Sequence, residues 1–141
     1  MTVITHSHLR LEASALALRG LGGWLRDAIE QLPDEQVAAT LLPRAELALH
    51  EACMNVVDHA QLPAGEGIEV ELVLSADRLV LTVRDRGKEF HPSEVPEPQR
   101  AVLQERGYGV KIIRSLVSDL SLRRVESTNV LELTINLGEH P

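Results

Sequence analysis

Glu51-Ala52-Cys53-Met54-Asn55-Val56-Val57-Asp58-His59-Ala60 closes the strongest helical pattern in the chain, about Arg44 to Ala60, and its reading decides which fold surrounds it. Glu51 and Asn55 stand one turn apart, so a carboxylate and an amide project side by side, flanked by Asp58 and His59. Leu49, Ala52, Cys53, Val56, Val57 and Ala60 are assigned to the opposite arc, which makes the polar group one coherent face. Solvation is the ordinary fate of such a stripe. The chemical alternative is that the Asn carbonyl oxygen serves as a hard ligand for Mg2+ while the Glu carboxylate takes a proton from an attacking hydroxyl.

Upstream, Thr5 to Glu12 alternates weakly and is read as a strand with Leu9 and Leu11 facing one way. Ser14 is a plausible N-cap for a helix through Leu16, Leu18, Leu21, Trp24, Leu25 and Ile29, weakened by Gly20, Gly22 and Gly23. After Pro33, Asp34 and Glu35 open another helical pattern, which Pro43 is expected to interrupt. Downstream, Ile68/Val70/Leu72/Leu74 and Leu79/Leu81/Val83 alternate around Ser75-Ala76-Asp77-Arg78, a hairpin signal. A polar loop with Pro92, Pro96 and Pro98 leads to Gly107-Tyr108-Gly109. A helix from Val110 through Ile112, Ile113, Leu116 and Val117 follows, then strands on Leu120/Leu122 and Leu131/Leu133/Ile135/Leu137. The layout is α+β, with helices on one face of a mixed, mostly antiparallel sheet, read as one domain over residues 1–141.

Two loops join the helix face as candidates. Val83-Arg84-Asp85-Arg86-Gly87 comes where an apolar strand runs out. There an Asp can project into a pocket and accept the exocyclic amine of adenine, and a Gly lets a ring approach the backbone; the bland reading is a strand-ending turn. Gly107-Tyr108-Gly109 precedes a helix, so its N–H groups could hold phosphate oxygens with Arg106 adding charge, although a lone GxG is weak and no P-loop run exists.

Composition narrows the rest. A net charge of −7 and 2% aromatic residues argue against a direct nucleic-acid binder. The single cysteine, Cys53, forbids an internal disulfide, and no long apolar run or signal-like start is seen, so a cytoplasmic protein off the membrane is expected. His6, His8, His50, His59, His91 and His140 show no spacing typical of a zinc site, and Cys53 falls on the apolar side of its helix. No GxSxG element marks a serine hydrolase.

In this order, Glu51-x-x-x-Asn55, Asp85-x-Gly87 and Gly107-x-Gly109 resemble the N, G1 and G2 boxes of the ATPase superfamily shared by gyrase, Hsp90, histidine kinases and MutL. Residues 51–60 look like the EAxxNxxxHA signature of the bacterial anti-sigma-factor serine kinases, and Asp85-x-Gly87-x-x-Phe90 resembles their G1 box. The resemblance implies a two-layer α/β sandwich of Bergerat type, with Asn55 on Mg2+, Asp85 on the adenine amine and Gly87 beside the ring. Gly107, Tyr108, Gly109 and Val110 would lie in an ATP lid, and Glu51 would be the general base. It implies transfer of the γ-phosphoryl group of ATP to a Ser or Thr of a STAS-domain anti-anti-sigma protein, a sigma factor as the other partner, and a homodimer built through the N-terminal strand. The family usually turns a Thr toward the nucleotide from the strand after the lid helix; the nearest equivalents here are Thr128 and Asn129. Gln61 stands where an aromatic residue often follows the His-Ala pair, and Gly87-Lys88 lacks the second loop glycine of histidine kinases, which favours the serine-kinase branch. The rival reading keeps the fold and nucleotide but only sequesters a partner.

Overall fold

A computed structural model describes residues 2–89 and 111–138. The chain runs through β1 (Val3–Leu11), a short 3₁₀ turn (Ala17–Gly20), α1 (Leu21–Ile29), α2 (Glu35–His59), β2 (Ile68–Ser75), β3 (Arg78–Asp85), a helical run at 111–116, β4 (Asp119–Val125) and β5 (Thr128–Asn136). The five strands form one sheet in the order β1-β2-β3-β5-β4. Every pairing among the described residues is antiparallel, where the sequence suggested a mixed sheet. The reason is topological: β3 and β4 run in the same direction, but β5 inserts between them and pairs antiparallel with both.

Strand parity sorts the side chains. Ile68, Val70, Leu72 and Leu74 of β2, Leu79, Leu81 and Val83 of β3, and Leu133 and Ile135 of β5 are all buried. They meet Leu21, Leu25 and Ile29 of α1 and Leu41, Ala45, Ala48, Leu49, Ala52 and Cys53 of α2, so the core lies between the helices and one face of the sheet. Trp24 belongs to this layer, its indole Nε1 donating to Ser7 Oγ on β1 at 3.0 Å.

Two expectations about helices are corrected. Ser14 Oγ does accept a backbone N–H, from Ala17 at 3.2 Å, but what it starts is the 3₁₀ turn; α1 proper begins at Leu21. Pro43 does not interrupt the next helix: α2 is continuous over 25 residues, capped by the Asp34 carboxylate, which accepts from the N–H groups of Gln36 and Val37. Pro43 and Ala39, whose carbonyl would ordinarily receive the missing N–H, both lie on the exposed side, so water can satisfy that oxygen. The buried stripe of Leu41, Ala45, Ala48 and Leu49 runs past it on the other side. The Arg44 guanidinium donates to the carbonyl of Leu116 and ties α2 to the end of the helical run at 111–116. No helix among the described residues is long and apolar enough to cross a membrane.

The β4–β5 hairpin turns through Glu126 and Ser127, both at positive φ (49° and 68°), with Val125 paired to Thr128. A two-residue loop of this kind favours Asn-Gly, because side chains with a Cβ resist φ above zero. Glu126→Asn combined with Ser127→Gly is therefore expected to stabilise the protein by about 1 kcal/mol, read as a higher urea midpoint with unchanged slope.

Candidate functional site

The core face of β3 reads Leu79, Leu81, Val83 and then, in the same phase, Asp85; that of β5 reads Ile135, Leu133, Leu131 and then Asn129. Parity thus carries a carboxylate and an amide onto the face that the helices cover, and the register sets them directly opposite one another. Both are buried, at 6% and 3% exposure. Across from them the last turns of α2 present Ala52, Asn55, Val56 and Ala60. With Val83, Leu122 and Leu131 these residues line a cleft enclosing about 30 Å³, room for one or two waters.

Asn129 is fully engaged. Its Nδ2 donates to Asp85 Oδ1 (3.0 Å) and to the Lys88 carbonyl (2.8 Å), and its Oδ1 accepts from Arg124 Nη1 (2.9 Å). The same Arg124 nitrogen donates to the Gly87 carbonyl at 3.1 Å, and the Gly87 N–H donates to Asp85 Oδ1 at 2.9 Å. One carboxylate oxygen of Asp85 is therefore held by two donors, while Oδ2 meets no hydrogen-bond partner among the described residues. Gly87 is required here for space: a Cβ on it would drive into the carbonyl of Ala60 and lie 2.7 Å from that residue's Cβ. The Lys88 N–H donates to the same Ala60 carbonyl, latching the loop after β3 to the end of α2.

Asn55 is the contrast. It is 9% exposed and lines the cleft, yet no described residue hydrogen-bonds its side chain. Buried amides are nearly always paired, so one left open in a cleft marks a place for a ligand. The helix-face assignment is corrected in one respect: Ala52, Val56 and Ala60 are not opposite Asn55 but share the cleft with it, because positions three before and one after lie within one broad arc of a helix. Glu51, one turn earlier, is half-buried and outside the cleft lining. Cys53 is fully buried, and burial pushes its thiol up to about 12, which removes it as a nucleophile near neutral pH.

Of the candidates named from sequence, the structure brings Asn55, Asp85 and Gly87 together and sets Glu51 on the same helix. Phe90, Arg106, Gly107, Tyr108, Gly109 and Val110 lie outside the described residues. Between Thr128 and Asn129 it is Asn129 that faces the cleft, in phase with Leu131 and Leu133; counting parity back along β5 would have found it. Arg124, on the edge strand β4, had no such signal. Chemically, the arrangement is an apolar slot ending in an open carboxylate oxygen, suited to a flat ring bearing an amine, with an amide oxygen placed for a hard cation.

A five-stranded sheet with helices over one face and this cleft between the layers defines a histidine kinase-like ATPase domain. The chain belongs to that family, whose model matches residues 8–135. Among individual proteins it is similar to the serine-protein kinase RsbW of Bacillus mycoides (strain KBAB4), 30% identical over 95 residues, which make up 61% of this chain and 59% of that one. RsbW of Bacillus cereus (strain AH187) and of Bacillus thuringiensis subsp. konkukian (strain 97-27) match with the same identity and coverage. The chain thus spans about three-fifths of the length of the curated relatives it matches. Its fold is that of a crystal structure of the RsbU and RsbW domains of Rv1364c from Mycobacterium tuberculosis. The TM-score is 0.68 at 20% identity, covering 94% of this chain and 32% of that one.

Proposed function

We propose that the chain is a single ATPase-type domain that binds Mg-ATP in the cleft and acts as a protein serine/threonine kinase. Its substrate would be a STAS-domain anti-anti-sigma protein, its other partner a sigma factor or comparable regulator, and its compartment the cytoplasm. The observation that carries the reading is the Asn55 amide, which hydrogen-bonds no described residue and lines the same apolar slot as Asp85. Asp85 Oδ2 accepts the adenine amine, Gly87 brings backbone close to the ring edge, and Val83, Leu122 and Leu131 give it apolar walls.

Mg2+, when bound, would supply neutralisation of the charge that develops during transfer. Asn55 supplies a hard oxygen ligand to it. Glu51 accepts the proton of the attacking Ser or Thr hydroxyl as the new P–O bond forms and the β,γ-bridging bond breaks, releasing ADP. Arg106 and the Gly107 to Val110 segment hold the phosphates. The position of β1 at one edge of the sheet supports a homodimer formed through it.

The test is incubation with Mg-[γ-32P]ATP and STAS-domain proteins of the same organism. Glu51→Gln is expected to leave nucleotide affinity nearly intact and to lower transfer by about 10²–10⁴-fold. Full-rate transfer by Glu51→Gln would remove the base assignment. Tight ATP binding by the parent protein without transfer to any candidate would favour the sequestering module.

A further inference from the structure

The sheet face away from the helices carries a second cluster that the cleft does not use. His6 and His8 are two apart on β1 and so project from the same face, and the antiparallel register sets His8 directly opposite Glu71 of β2. Glu71 Oε2 accepts from His6 Nε2 at 2.6 Å and lies 3.7 Å from His8 Nε2. The two imidazole rings have centroids 5.0 Å apart and are tilted by 43°, so they converge on the carboxylate instead of stacking. One ligand atom from each of the three side chains falls within 4.8 Å of the others. Ligands on a tetrahedral zinc ion sit about 3.3 Å apart, given metal–ligand bonds of about 2.0–2.1 Å, so the observed separations bracket that value and small rotamer changes close them onto one ion.

We propose that His6, His8 and Glu71 form a binding site for a divalent transition metal of the zinc class, with two imidazole nitrogens and one carboxylate oxygen as ligands and water in the fourth position. The donor set of nitrogen and oxygen suits zinc and its neighbours and not Mg2+, which takes oxygen ligands. Arg84 Nη1 donates to Glu71 Oε1 at 3.0 Å, which orients the carboxylate and leaves Oε2 turned to the histidines. The nearby Arg10 charge is offset by Glu69 at 3.6 Å. His6 and His8 side chains are 51% and 68% exposed, which opens an entry path and a place for the water ligand. Bound metal would clamp the edge strand β1 to β2. The His-x-His spacing was in the sequence, but only strand alternation and the cross-strand register turn it into a ligand set.

The full chain, without an affinity tag, is titrated with Zn2+ against a colorimetric chelator, and with Co2+ while visible absorption is followed. One Zn2+ per chain at micromolar affinity or better is expected, with Co2+ bands of a four-coordinate site and no competition from millimolar Mg2+. Glu71→Gln and His8→Ala should each weaken Zn2+ by about tenfold or more, and His6→Ala with His8→Ala should remove the site. Because both histidines are exposed, the double variant should melt like the parent protein in the presence of chelator. Absence of a saturable site in the parent protein, or retention of stoichiometric Zn2+ by the double histidine variant, would overturn the proposal. If that variant proved unfolded, His8→Gln and the Co2+ spectrum of the parent protein would decide in its place.

Discussion

In an Asn55→Ala protein, Mg-ATP binding is expected to fall by about a hundredfold or more, while the nucleotide-free protein becomes as stable as its parent or slightly more so. The two halves of this expectation have one cause. The Asn55 side chain is 9% exposed in the cleft and hydrogen-bonds no described residue, so the folded chain has no such bond to lose, and the amide's partner is proposed to arrive with the ligand. Removing the amide therefore breaks no hydrogen bond to a described residue, and alanine is also the better helix former by about 0.5 kcal/mol near the C-terminal end of α2. Lost binding with lost stability would instead mean that the amide holds the fold together. Calorimetric titration with Mg-ATP and a urea melt of the free protein separate the outcomes. A variant that bound nucleotide like its parent would end the assignment of Asn55.

Gly87→Ala should do the reverse, damaging the fold and the site together. The added methyl meets the Ala60 carbonyl, already the acceptor for the Lys88 N–H, and the Ala60 Cβ at 2.7 Å. Backbone on one side and a helix end on the other leave no flexible side chain to swing away, so the expected loss is about 1–3 kcal/mol. Because the Gly87 N–H also fixes Asp85 Oδ1 and its carbonyl receives Arg124, displacement of this residue turns the carboxylate out of its orientation. Nucleotide affinity should fall even in the fraction that stays folded. A urea melt indistinguishable from that of the parent protein would show that the contact between the loop and α2 is looser than the structure has it.

Much of the architecture was legible because strand and helix periods are strong in this chain. The 68–85 hairpin and both later strands follow from alternation of Leu, Ile and Val, and the carboxylate at 85 continues that alternation. The order of strands was not legible: nothing in the pattern of β4 or β5 says that the last strand slips between β3 and β4, which is what makes the sheet antiparallel throughout. Pro43 misled because its cost depends on which side of the helix it occupies, and that is decided by packing. At the site, Asn55, Asp85 and Gly87 could be named from residue type and spacing. Arg124 could not, since its role rests on reaching a carbonyl 37 residues away in sequence. Asn129 lay between these cases, open to parity but ambiguous with its neighbour Thr128.

The latch between the Lys88 N–H and the Ala60 carbonyl gives the molecule a built-in clock. That proton is held by the last turn of α2, so it can trade with deuterium only when the helix end and the loop after β3 separate. Its exchange rate therefore counts how often the loop leaves the helix end, on the two elements that carry Asp85 and Asn55. A nucleotide that spans both residues should slow this single amide more than its neighbours on exposed backbone, making Lys88 a reporter of cleft opening in solution that needs no label and no partner protein.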